Sequence, residues 1–271
     1  MKDSHVHTKI SHDGISTIEE YLNIAKEKNV DEITFTEHYD IYDGLKTNLK
    51  TLDIDFYEEE YYKFKNDKKV KTNFGIEIGL QPDIYEQIRN MVNKHNFDFI
   101  IGSSHITNKK DMSIDKTFFK DLTRKEAYLI YFKEVLENIK IYNEEFDVYG
   151  HLDYVVRYGG YKEKYINYNE FKEILDQILI ELINKDKGLE INTSGIRYGL
   201  NMPHPNIDIL KRYKELGGRI ITIGSDAHRI QDLASNFKEA YEILENIGFH
   251  NIAIYHNRKP DFIKIKELKR W

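Results

Sequence analysis

Short apolar runs alternate along the chain with longer stretches in which apolar residues recur every three to four positions. The short runs fall at 2–7, 32–36, 73–79, 97–103, 148–151, 189–192 and 219–224. Segments such as ITFT, FIIG and IITIG are nearly continuous in apolar character, as expected of strands covered on both faces. The helical periodicity predicts helices over 17–29, 55–66, 85–94, 124–143, 170–184, 207–216 and 237–247. The first places Ile18, Leu22 and Ala25 on one face, with Ser16 and Glu19 at capping-box spacing. Strands alternating with helices predict parallel βαβ units. Seven strands fit an α/β barrel that lacks one strand, and a doubly wound open sheet is the alternative. The run at 251–255 is either an eighth strand or an edge piece. No repeat, low-complexity tract or Pro/Gly-rich linker divides the chain, so residues 1–271 read as one domain.

Composition narrows the classes. Hydrophobic residues make up 40% of the 271 positions and charged residues 32%, enough for a core and against wholesale disorder. A net charge of −6 argues against a broad nucleic-acid or anionic-membrane surface. With no cysteine, disulfides, thiol nucleophiles and thiolate zinc sites are excluded. The amino-terminal MKDSHVHT has no apolar signal-like core, and no apolar run is long enough to span a bilayer. The expectation is a soluble cytoplasmic protein without a membrane partner.

The polar residues gather where the predicted strands end. His5 and His7 close the first strand, His38 the second and His151 the fifth. Glu77 lies in the third, His105 follows the fourth, and Asp226 and His228 follow the seventh. In a parallel barrel all these ends meet on one face. Residues two apart on a strand point the same way, so His5 and His7 can share one cation, and Asp226 and His228 repeat the spacing. Imidazole and carboxylate donors suit Zn, Mn or Fe, and Glu77 has two oxygens with which to bridge two ions. A single strand-end histidine is more often structural than a ligand; the ordered set is what points to metal. His12 and Asp13, in the turn SHDG, compete as a further ligand. His95, His250 and His256 read as solvated or structural. Arg157 and Arg197 follow the fifth and sixth strands. Their planar forks suit phosphate, although a loop arginine by itself more often forms a surface ion pair.

The ordered motifs DSHVHT, SHDG, TEH, GIEIG, GSSH, GHLD, NTSGIR and GSDAH together resemble the PHP (polymerase and histidinol phosphatase) family of metal-dependent phosphoesterases, and more narrowly its histidinol-phosphate phosphatases. The resemblance spans nearly the whole chain. It implies a distorted seven-stranded β/α, TIM-like barrel with three divalent ions. Carried over residue by residue, His5, His7, Glu77 and Asp226 would hold one ion. Glu77, His105 and His151 would hold the second, and Asp13, His38 and His228 the third. It makes Arg157 and Arg197 phosphate clamps and leaves His12 as a catalytic or phosphate-contacting residue. Asn192 and Ser225 become lining of the substrate pocket, and Asp3 becomes a support for the ligands.

The activity so implied is hydrolysis of a small phosphomonoester, L-histidinol phosphate, by a metal-bridging hydroxide. Three divalent ions against the three carboxylates would leave the centre near plus three, which attracts a phosphate dianion despite the acidic chain. His12, Asp153 or a metal-bound water would protonate the leaving group. Asp43, Asp111 and Asp115 are candidates for reading the substrate's cationic end. The alternative keeps the metals and changes the substrate to nucleotides or single-stranded DNA ends. A nuclease should show a basic groove, and the only basic run is KNDKKVK at 65–71. A non-catalytic module should have lost ligands, whereas every position here carries a competent side chain.

Overall fold

In the computed structural model, which describes residues 1–45 and 47–269, strands and helices alternate as the periodicity predicts. The order is β1 (Lys2–Val6), α1 (Ile18–Glu27), β2 (Glu32–Tyr39), α2 (Ile54–Tyr62), β3 (Lys71–Gly79), α3 (Tyr85–Lys94) and β4 (Phe99–Ser103). A short hairpin follows, β5 (Ile106–Thr107) and β6 (Lys110–Asp111), and then α4 (Arg124–Ile141), β7 (Val148–Tyr149), α5 (Tyr168–Asn184) and β8 (Gly188–Asn192). The chain ends with α6 (Ser194–Arg197), α7 (Ile207–Glu215), β9 (Ile221–Gly224), α8 (Phe237–Ile247), β10 (Asn251–His256), β11 (Lys259–Lys264) and α9 (Ile265–Leu268).

Seven parallel strands form one sheet in the order β1-β2-β3-β4-β7-β8-β9. The sheet is nearly closed. The amide of Asp226 donates to the carbonyl of His5 at 2.8 Å, and that of His7 to Ala227 at 2.8 Å. The open-sheet alternative is therefore set aside in favour of the barrel. Helices cover the outside with apolar faces such as Ile18, Tyr21, Leu22 and Ala25 of α1 and Phe237, Ala240, Tyr241 and Leu244 of α8. Many of the core's largest side chains are tyrosines. Several of their hydroxyls reach backbone carbonyls: Tyr57 donates to Phe35 at 2.9 Å, Tyr61 to Thr72 at 3.0 Å and Tyr213 to Ile220 at 3.0 Å.

Two local expectations are corrected. The capping box of α1 uses Thr17 and Glu20, one residue beyond the Ser16 and Glu19 expected. Thr17 Oγ1 accepts from the Glu20 amide at 3.1 Å and Glu20 Oε2 from the Thr17 amide at 2.7 Å. Both pairs have the right spacing, but Ser16 is buried and its hydroxyl accepts from the Ile230 amide instead. The run at 251–255 does not join the barrel. It forms β10 and turns back on β11 through Asn257 and Arg258, which both have positive φ (49° and 62°), the conformation of a tight two-residue hairpin turn. Ala253 and Tyr255 of β10 pack on Phe99, Ile101 and Val148.

The end of the barrel where the strands begin is a stability face. Glu32 is buried and receives Asn73 Nδ2 at 2.8 Å, His256 Nε2 at 2.6 Å and the Lys2 ammonium. Burial alone would raise its pKa; these partners outweigh burial and hold it at about 2, against 4.5 ordinarily. A depressed carboxylate contributes stability that is complete above pH 4.5 and is lost as pH falls toward 2. Glu32→Gln is therefore expected to lower stability at neutral pH by about 1–3 kcal/mol. The deficit should shrink as thermal melts are repeated down to pH 2, and a constant deficit across that window would count against the assignment.

Candidate metal centre

The strand ends place their imidazoles and carboxylates around one point at the opposite end of the barrel. His5 Nε2 and His7 Nε2 face each other at 2.9 Å. Glu77 Oε2 lies 3.3 Å from the first and 3.5 Å from the second, and Asp226 Oδ1 lies 3.9 and 3.5 Å from them. The other oxygen of Glu77 points to His105 Nε2 at 3.3 Å and His151 Nε2 at 2.7 Å. A third group is formed by Asp13 Oδ2 with His228 Nε2 at 3.2 Å and His38 Nε2 at 3.6 Å, the two rings being 3.3 Å apart at these nitrogens. His38 also turns Nδ1 to Glu77 Oε2 at 2.9 Å, so it faces two of the three groups. The structure thus brings together all nine residues expected as ligands.

The local backbone explains how. The turn after His7 folds over the buried carboxylate of Glu37, which accepts the amides of Thr8 and Ser11, each at 3.0 Å, and both hydroxyls. Gly14 is required there, since a Cβ would lie 1.9 Å from the Thr8 carbonyl oxygen. Asp226 adopts a left-handed backbone (φ 53°), uncommon for a residue with a Cβ and found where a site is held by its surroundings. Asp3 supports that loop by accepting the amides of Ser225 and Ala234, each at 2.9 Å.

Two of the rings are also aimed from behind. Glu190 Oε1 holds His5 Nδ1 at 2.6 Å, and Asp40 holds His105 Nδ1 at 3.0 Å. With the proton on Nδ1, the lone pair of Nε2 is left facing the centre. Neither carboxylate was anticipated from sequence. The signals were there: Glu190 is an acid inside the otherwise apolar strand GLEIN, and Asp40 lies two residues beyond His38.

Burial opposes charge on His5, His7, His38, His105 and His151, and the carboxylates decide which of these rings overcome it. Glu190 and Glu77 raise the pKa of His5, and Asp13 and Glu77 raise that of His38; Asp40 and Glu77 push His105 up to about 10. At His7 and His151 burial prevails and the values are lowered. Glu77 and Asp226 are likewise buried and Asp13 is partly exposed, yet the surrounding histidines hold all three values below the ordinary range. The donor set fits divalent metal. Ring nitrogens converge on one another and on Glu77 Oε2, which among the described residues makes no hydrogen bond although three ring nitrogens lie within 3.5 Å. Cations between these atoms satisfy them all.

The remaining expectations fare differently. Arg157 is buried between the rings of Tyr154 (5.0 Å) and Tyr198 (4.4 Å). Its Nη2 donates to Asp226 Oδ2 at 3.2 Å and to the Ser194 hydroxyl, and its Nε to His204 Nε2 at 3.0 Å. Among the described residues Nη1 has no acceptor, so two N–H groups remain for a ligand beside Asp226. Arg197 departs from the clamp expected of it. It donates to the carbonyls of Ser225 (2.8 Å) and Asp226 (2.9 Å) and to the Ser235 hydroxyl (2.9 Å), bracing the loop that carries Asp226. Asn192 and Ser225 are not pocket lining. Both are fully buried; Asn192 is engaged with Glu190 and Ser194, and Ser225 lies against Asp3. Asp153 accepts from His204 and from the Asn206 amide, and so is not free to serve as an acid. His12 is exposed at the mouth, its ring 5.6 Å from that of His38. Asp111 and Asp115 cap local turns at Ser113 and Thr117. The charge of Asp111 also reaches His12 and Tyr154. His95 and His256 pair with Glu58 and Glu32 away from the centre.

Comparison with known proteins agrees with this geometry. Residues 3–194 match the model of the PHP domain family. The chain is 35% identical over 267 residues to a probable histidinol-phosphatase of Clostridium acetobutylicum, covering 98% of both chains. It is 32% identical over 263 residues to the histidinol-phosphatase of Lactococcus lactis, covering 96% of both. Among solved structures, the histidinol phosphate phosphatase of Lactococcus lactis, complexed with zinc, L-histidinol and phosphate, superposes with a TM-score of 0.87 at 30% identity, over 96% of this chain and 98% of that one. A structure from Listeria monocytogenes, at 19% identity and a TM-score of 0.75, shares the fold.

Proposed function

From the chain's membership of the PHP domain family, to which it belongs, and from the geometry of its centre, we propose that it is a metal-dependent phosphomonoesterase hydrolysing L-histidinol phosphate to L-histidinol and phosphate at a centre of three divalent ions. The observation that carries the chemistry is the convergence of six imidazoles and three carboxylates on one point, with the free Nη1 of Arg157 beside them. The choice of substrate rests on the relatives, of which the Lactococcus lactis enzyme was crystallised with both products of that reaction.

His5, His7, Glu77 and Asp226 would hold one ion, Glu77, His105 and His151 the second, and Asp13, His38 and His228 the third. Zinc, manganese and iron all suit these donors. Such ions supply a water that is deprotonated near neutral pH and a positive field for the phosphoryl oxygens. The protein supplies the rest. Glu190 and Asp40 hold His5 and His105 with Nε2 toward the centre. Arg157 directs Nη1 at an equatorial phosphoryl oxygen, where negative charge develops. Arg197 acts on the phosphate indirectly by fixing the backbone of Ser225 and Asp226. His12 stands exposed at the mouth, its ring 5.6 Å from that of His38, within reach of the departing alcohol.

Lys71 of the basic run opens β3, at the opposite end of that strand from Glu77. The test is phosphate release by metal-replete protein from L-histidinol phosphate, a nucleoside monophosphate and a short DNA strand. Preference for either of the latter two would overturn the substrate assignment. His7→Ala is expected to abolish turnover with little change in the thermal melt, and a wild-type rate would exclude His7 as an essential ligand.

A further inference from the structure

We infer that Asp153 and His204 form a positioning relay that locks Arg157 in its phosphate-binding orientation. The relay is outside the ligand set, and His204 has no sequence motif to announce it. It rests on the reading of the site as a phosphatase, since it assigns how the phosphate is held.

The geometry fixes the direction of each hydrogen bond. Arg157 Nε always carries a proton, so it donates, and His204 Nε2, 3.0 Å away, must accept. The single proton of a neutral His204 therefore lies on Nδ1, which meets the Asp153 carboxylate. Asp153 cannot rotate away, because its other oxygen accepts the Asn206 amide at 2.9 Å. His204 is equally fixed. It is fully buried, and its backbone pairs with the end of β8 through Asn192 N to His204 O at 2.7 Å and His204 N to Asn192 O at 2.8 Å. Gly195 allows that approach: a Cβ there would lie 2.5 Å from the Met202 carbonyl oxygen and 3.2 Å from the His204 ring.

An arginine side chain has several rotatable bonds and gains little from binding phosphate if it must first be ordered. Here the two aromatic rings fix the plane of the guanidinium. The remaining freedom, rotation within that plane, is removed by His204 on Nε together with Asp226 and Ser194 on Nη2. Among the described residues, Nη1 alone is left to the ligand. Asp153 sets the tautomer that lets His204 accept; a proton on Nε2 would oppose the Arg157 N–H and turn the fork out of register.

Five proteins decide the matter: wild type, His204→Leu, His204→Gln, Arg157→Met and the double variant His204→Leu/Arg157→Met. Each is loaded with zinc, its metal content is measured, and inorganic phosphate binding is followed by calorimetry beside kcat and KM. His204→Leu should weaken phosphate binding and raise KM about tenfold, with a smaller fall in kcat and full metal content. His204→Gln, whose amide oxygen can accept from Nε, should recover most of the loss. The double variant should be no worse than Arg157→Met alone. Phosphate affinity within twofold of wild type in His204→Leu, or additive losses in the double variant, would overturn the relay. Should His204→Leu fail to fold, nitrogen-15 spectra of histidine-labelled wild type, with the signal assigned by its absence from His204→Gln, still decide: protonation at Nδ1 supports the relay and protonation at Nε2 sinks it. Because phosphate binding is read directly, failure to hydrolyse histidinol phosphate would count against the substrate assignment and leave this result intact.

Discussion

Glu77→Gln should reduce phosphate release by about three orders of magnitude, roughly 4 kcal/mol of transition-state stabilisation. The replacement is nearly isosteric, so β3 and its pairing with β2 and β4 should persist. The two oxygens of Glu77 are the one feature common to the first and second groups of donors, with ring nitrogens from 2.7 to 3.5 Å away. An amide offers one weak neutral acceptor and one donor. It would present N–H groups to His105 and His151 or to His5 and His7, where a cation needs lone pairs. Loss of bound metal should accompany loss of rate. Elemental analysis with steady-state kinetics checks this, and a variant with full metal content and a rate within tenfold of wild type would remove Glu77 from the bridge.

Arg157→Met should lower kcat/KM by about 10²–10³-fold, or 2.7–4 kcal/mol, while metal remains bound. Methionine keeps the apolar stem between Tyr154 and Tyr198 and removes only the charged fork. Asp226 retains its contacts with the Ser194 hydroxyl (3.0 Å) and with the histidines, so the ligand loop should hold. The distinction from Glu77→Gln is the metal content: one variant loses the ions, the other loses only the grip on phosphate. An unchanged kcat/KM would show that Nη1, though free, does not meet the substrate.

How far the sequence led differs between the two layers of the molecule. The strands were legible because ITFT, FIIG and IITIG are covered on both faces, and burial of that kind leaves a continuous apolar signature. The ligands were legible because histidine and acid at strand ends are costly in a core and recur in one order. The carboxylates behind the rings were harder. Glu190 and Asp40 act on partners 185 and 65 residues away, so their local positions mark them as unusual but do not show which ring each one holds. Arg197 shows the opposite limit. Its place after the sixth strand is right for a clamp, yet its donors are taken by the carbonyls of a loop that comes to it only on folding. Asn192 and Ser225 fail as lining for a related reason: adjacency to a ligand in sequence does not say which way a side chain turns.

By itself, then, the order of residues determined a parallel β/α arrangement and a face rich in imidazole and carboxylate. Periodicity and residue type are local quantities, and burial writes them directly into the chain. Three-dimensional packing alone decided closure between β1 and the loop after β9, the facing of His5 against His7 and of His38 against His228, and the different hydrogen-bond partners of Arg157 and Arg197. Those depend on distances of a few ångströms between segments remote in the chain, and a hydrogen bond or a shared cation is made or lost within one ångström.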